Sequence, residues 1–194
     1  MIFAATLKAH TQQVHLQLEK KMVEKIRAIQ TTVDYSQLLE MMYGFYAPLQ
    51  QQLQPYLHDL SFNGTQRGLQ SSQILQDLRF LQPRRNKIIP LCPAVPAISC
   101  EAEALGAMYV TEGATLGGGI IAAMISRQLR IEGKEGFYFF RCYGEHTTTM
   151  WDNFKERLNA PAAPAQQDQT LRTAIDTFYR FEKWLNKALP SFHG

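Results

Sequence analysis

The chain has 194 residues, of which 45% are hydrophobic and 19% charged, with a net charge of +3. This is enough apolar surface for one packed domain over residues 1–194 and too little charge for a disordered chain. No run of about 18 apolar residues marks a membrane span, "MIFAATLKAHTQQ" turns polar too early for a secretory leader, and no long basic stripe interleaved with aromatics points to nucleic acid. Cys92, Cys100 and Cys142 are odd in number and lack CxxC spacing, which indicates free thiols and a cytoplasmic protein rather than disulfides or zinc. The one dense cationic cluster, "RRNK" at Arg84 to Lys87, suits an anionic small molecule or an acidic redox partner.

Helical periodicity runs through the chain without any strand-like alternation, so the fold class is all-α. A first helix is expected from Thr6, with Leu7, Thr11, Val14, Leu18 and Met22 on one stripe and His15 at its edge. A second is expected from Tyr35, with Asp34 as N-cap and a kink or break at Pro48. Ser71 to Leu81 reads as a shorter helix closed by Pro83, and Pro90, Pro93 and Pro96 mark an irregular connector. A long apolar helical pattern then runs from Ser99 to about Ile131. After it come an aromatic turn, "GKEGFYFFRCYGE", a helix from His146 to Leu158, an exposed linker, "NAPAAPAQQ", and an amphipathic helix carrying Phe178, Phe181 and Trp184.

The fourth pattern contains "EGATLGGGII", with Gly113, Gly117, Gly118 and Gly119 inside an otherwise apolar helix. Each helical glycine costs roughly 1 kcal/mol relative to alanine, so the group costs on the order of 3 to 4 kcal/mol. Two explanations fit: close packing or a turn, or a broad flat ligand lying against backbone where any Cβ would collide. His15 borders the apolar stripe of its helix, whereas His10 points about 140° away. On its own, a histidine at a core edge is more often a structural residue than a ligand.

"LKAHTQQVH" ending at His15 resembles the N-terminal motif of the heme oxygenase family, and "EAEALGAMYVTEGATLGGGII" (Glu101 to Ile121) resembles that family's glycine-rich distal helix. Together with "YGEHTTTMWDNFKERL" (Tyr143 to Leu158) and "DLRFLQPRRNKIIP" (Asp77 to Pro90), the pattern is most similar to bacterial members found beside phytochromes. The resemblance implies a single-domain multihelical bundle with a glycine-kinked distal helix. It also implies His15 as proximal ligand of the heme iron and Lys8 as a propionate partner. Gly113, Ala114, Gly117 and Gly118 become the distal wall, with Thr115 as a polar contact in the pocket and Arg141, Lys155 and Arg157 as further cations for the propionates. Ala114 stands where many members carry an aspartate beside the bound oxygen.

The implied chemistry is oxidative cleavage of heme, both substrate and cofactor, to biliverdin, carbon monoxide and ferrous iron. It uses O2 and electrons from a ferredoxin or reductase, and serves either to supply biliverdin to a bacteriophytochrome or to release iron. No membrane or nucleic-acid partner is expected. The other class in play is a non-catalytic heme-binding or heme-delivery protein that keeps His15 and the glycine wall. A carboxylate-bridged di-iron site is excluded by the lack of ExxH. A thiaminase-type site is disfavoured, because Cys100 and Glu101 are helical neighbours that do not face each other.

Overall fold

The computed structural model describes residues 2–57, 67, 68, 70–84 and 86–188; Arg85 of the cationic cluster lies outside them. They form six helices, α1 (Phe3–Arg27), α2 (Thr32–Leu57), α3 (Gln70–Leu81), α4 (Glu101–Leu129), α5 (Thr147–Leu158) and α6 (Pro164–Ala188), with a 3-10 turn at Gly144–His146. There is no strand among the described residues, in agreement with the all-α expectation.

Several boundaries differ from the sequence expectation for identifiable reasons. α1 begins before Thr6 because the Ala4 N–H, one of the orphan donors of a helix start, donates to Asn159 Oδ1 at 2.9 Å, just past α5. α2 begins at Thr32, and Asp34 is not its N-cap. Asp34 accepts from the N–H groups of Gln30 (3.0 Å) and Thr31 (2.8 Å) while its own N–H donates to Thr31 Oγ1 at 3.2 Å, a reciprocal capping box with the acid three residues in.

Pro48 does not end α2. A proline strips the Gly44 carbonyl, four residues back, of its helical donor, and the Cys92 N–H in the proline-rich connector supplies one instead at 2.8 Å. α6 starts inside the stretch read as linker, with Pro164 at its first turn, where a missing N–H costs nothing. α4 is helical through all of its glycines. It ends on Arg130 in the left-handed conformation (φ 55°), with the Ile131 N–H reaching back to the Ser126 carbonyl at 3.1 Å.

α1, α4 and α6 run side by side in one direction. Thr170 Oγ1 of α6 donates to the Ala102 carbonyl of α4 at 2.9 Å, and one turn later a Cβ on Gly106 would overlap the Thr170 carbonyl oxygen, so this glycine lets the two backbones close together. α6 meets α1 through Phe178 and His15 and through the Lys21–Glu182 ion pair at 2.6 Å. On the other side of α6, Phe181 stacks on Phe45 of α2 at 4.6 Å.

The aromatic segment 137–143 is core rather than surface. Phe137 stacks on Tyr35, Phe139 meets Tyr46 edge-on at 5.3 Å, and Phe137, Phe139 and Phe140 are all buried. α4 is long and apolar enough to cross a membrane by composition alone. Here its residues Ala104, Met108, Ala122 and Ile125 are buried in the bundle. The three thiols are unpaired.

Candidate functional site

α1 and α4 are tied to each other near both ends. Thr11 Oγ1 donates to the Tyr109 hydroxyl at 3.4 Å, and Gln128 Nε2 donates to the Ile26 carbonyl at 3.4 Å. Between these ties lie roughly 20 to 30 Å of each helix. One turn beyond Thr11 stands His15, and one turn beyond Tyr109 stands Gly113, so the two occupy corresponding positions along the pair.

His15 is exposed, and its ring packs at 5.5 Å from Phe178. On α4, Tyr109, Gly113, Leu116, Gly117 and Ile120 share one face by helical spacing. A Cβ on Gly113 would rest against the Trp151 ring at 3.6 Å, and one on Gly117 would meet nothing within 4 Å. Leu116 and Ile120 on this face are 46% and 69% exposed. An open apolar stripe with missing side chains thus lies on a helix that is core elsewhere, level with an exposed imidazole.

The side of α4 next to this face is closed at Gly118. A Cβ on Gly118 would overlap the Phe140 carbonyl oxygen, so this glycine packs the helix onto segment 137–143 and does not belong to the open face. One residue past Gly117, Gly118 is turned about 100° away from it. Thr115 also points away. It lies about 200° from both Gly113 and Gly117, and its hydroxyl is spent on the Glu112 carbonyl at 2.6 Å. Ala114 and Gly119 are exposed, and Gly119 has open space around it.

The cations divide. Lys8 is exposed on α1, two turns before His15. Lys155 is on the face of α5 that carries Trp151, which meets Gly113, and Asn159, which holds the start of α1; its ammonium pairs with Asp152 at 2.8 Å on the surface. Arg157 pairs with Glu101 at the start of α4. Arg141 does not join the site. Its guanidinium reaches the Gly133 carbonyl (3.5 Å) and the Phe137 ring (5.8 Å), within the segment behind α4.

That rear segment is held by residues the sequence reading missed. Asp77 accepts from the N–H groups of Tyr138 (2.8 Å) and Phe139 (2.9 Å), and Tyr35 Oη donates to the Gly136 carbonyl at 2.6 Å. Glu112 is buried in an ion pair with Arg67 and accepts from Tyr143 Oη at 2.9 and 3.1 Å. Arg67 also donates to the Met150 carbonyl at 2.8 Å.

Burial pushes the Glu112 carboxyl up, opposed by the Arg67 guanidinium and the Tyr143 hydroxyl, and pushes Asp77 up to about 6. It raises the Tyr143 phenol and takes the Cys142 thiol to about 12. A carboxylate inside the apolar run of α4 was the available signal for Glu112. Its partner Arg67 is 45 positions away and leaves no spacing pattern.

The heme oxygenase sequence profile matches residues 1–187 of the chain. No curated protein matches it by sequence. Among solved structures, the heme oxygenase from Leptospira interrogans superposes with a TM-score of 0.76 at 17% identity, covering 96% of this chain and 100% of that one. The NO- and CO-bound heme oxygenase from Neisseria meningitidis gives 0.76 at 20% identity, with 100% and 96% covered. Heme oxygenase-1 from the cyanobacterium Synechocystis, in complex with heme, gives 0.75 at 16% identity, with 96% and 92% covered.

Proposed function

Because the chain belongs to the heme oxygenase family, we propose that the face between α1 and α4 takes heme and that the protein cleaves it to biliverdin, carbon monoxide and ferrous iron, using O2 and electrons from a ferredoxin or reductase. The observation that carries this reading is the level placement of an exposed imidazole, His15, and an open glycine face, Gly113 and Gly117, each one turn past the Thr11–Tyr109 contact. The residues fit the group: a neutral imidazole suits iron, and absent Cβ atoms and exposed apolar side chains suit a flat macrocycle.

Bound heme supplies the iron that takes up O2 and the carbon framework that is oxidised. The protein binds, orients and shields. His15 holds the iron from the α1 side, with its ring backed by Phe178. Gly113 and Gly117 bring bare backbone to the opposite side, and Trp151 closes the flank beside Gly113. Lys8 and Lys155 are the cations placed for the ligand's carboxylates. No protein nucleophile takes part. The unpaired thiols agree with a reducing cytoplasm, where biliverdin would be available to a bacteriophytochrome.

One observation favours a second reading, a heme carrier: Ala114 brings no donor to the open face, and the Thr115 hydroxyl is already bonded elsewhere. One equivalent of hemin with ascorbate or a ferredoxin system in air separates the two. A Soret band that decays into biliverdin absorption supports the oxygenase, a stable band supports the carrier, and no band removes heme from both.

A further inference from the structure

Glu112 sits in an otherwise apolar stretch of α4, immediately before the first glycine of the open face, and it is 2% exposed. A carboxylate so buried persists only when its charge and lone pairs are met. Here they are met by groups from two other parts of the chain. Arg67, at the approach to α3, pairs with Oε2, and Tyr143, at the end of the aromatic segment, donates to both oxygens. Through its second terminal nitrogen the same Arg67 holds the Met150 carbonyl of α5, and its guanidinium lies 5.6 Å from the Phe154 ring. The residue after Met150 is Trp151, whose ring borders Gly113.

A helix with a glycine face has little on that side to fix its rotation. Nothing stands within 4 Å of a Cβ on Gly117. Its rotation must therefore be set from behind. Apolar packing alone does this poorly, because it is non-directional, whereas a carboxylate held by a guanidinium and a phenol is directional. A buried ion pair seldom stabilises more than an apolar substitute of the same volume, so its use here is better explained by geometry than by stability.

We propose that Glu112, held by Arg67 and Tyr143, is the positioning residue of the ligand face: it sets the rotation of α4 at Gly113 and, through Met150, the place of Trp151. It does not touch the ligand. Its effect is on which ligand geometry the face accepts, and in that respect it rests on the heme reading above.

Trp151 serves as the reporter, since the chain has two tryptophans and Trp184→Phe leaves Trp151 alone. In that background Tyr143→Phe removes one hydrogen bond without changing shape, and Glu112→Gln removes the charge. Tyr35→Phe, which deletes the equally buried bond to the Gly136 carbonyl, is the control. In the ligand-free protein, Tyr143→Phe should shift Trp151 emission and speed amide exchange across residues 109–118 about tenfold, the loss of one charge-assisted bond. Tyr35→Phe should do neither.

With hemin, Tyr143→Phe should weaken binding by roughly threefold to tenfold and change the proportions of biliverdin isomers, while keeping the His15 ligation spectrum. If Tyr143→Phe lowers stability as Tyr35→Phe does but leaves Trp151 emission and exchange unmoved, the positioning role is overturned. Should Glu112→Gln fail to fold, Tyr143→Phe still decides. If the parent protein takes up no hemin while the emission and exchange changes appear, the heme reading fails and the positioning of α4 stands.

Discussion

The Phe140 carbonyl oxygen occupies the place where a Cβ on Gly118 would stand, whereas the same position on neighbouring Gly117 is open for 4 Å in every direction. Gly118→Ala should therefore destabilise the ligand-free protein by about 2 to 4 kcal/mol, because helix or segment must shift to relieve the overlap. Gly117→Ala should stabilise it by about 0.5 to 1 kcal/mol through helix propensity alone. Urea unfolding of the two variants tests this, and equal midpoints would mean that both glycines serve the same surface.

Gly117→Leu separates ligand space from folding. A Cβ there meets no other residue, so the ligand-free variant should be no less stable than the parent and should gain about 0.5 to 1 kcal/mol of helix propensity, as Gly117→Ala does. Hemin affinity should fall at least about tenfold, because the side chain stands where the macrocycle would lie. Tight binding with intact turnover in this variant would place the ligand elsewhere.

His15→Ala should cost little stability, since the ring is exposed and packs tilted against Phe178 at 5.5 Å. Its effect belongs to the ligand: the axial imidazole signature of the hemin complex should disappear and return on adding free imidazole, while Tm of the ligand-free protein moves by about 2 °C or less. An unchanged Soret spectrum would remove His15 as the ligand.

The helices were legible because they carry a 3.6-residue apolar period, and the family was legible through resemblance. What spacing could not give was the direction of each glycine. Gly117 and Gly118 are alike in sequence, but one faces open space and the other a carbonyl 22 positions further along the chain. Pro48 does not break α2 for a similar reason: the donor that rescues the Gly44 carbonyl comes from Cys92. Asp77 and Arg67 are buried by partners 61 and 45 positions away, which leave no spacing pattern.

Asp77 supplies a stability prediction whose sign follows from its burial. Its carboxyl accepts two backbone N–H groups, which lower its pKa, yet desolvation outweighs them and lifts it from 3.8 to about 6. Between those values the native chain keeps a proton that the unfolded chain releases, so the native state binds more protons and stability falls as pH rises. The contribution is fully present below about pH 4 and is lost through about pH 6, amounting to ~3 kcal/mol. Asp77→Asn retains one acceptor oxygen and cannot titrate, so it shifts stability by an amount that does not vary with pH. Other carboxylates titrate equally in both proteins and cancel in the comparison. Urea unfolding from about pH 4 to pH 7 should therefore show the parent losing stability relative to Asp77→Asn. A difference that stays flat would mean that the clasp on Tyr138 and Phe139 holds an ordinary ionised carboxylate.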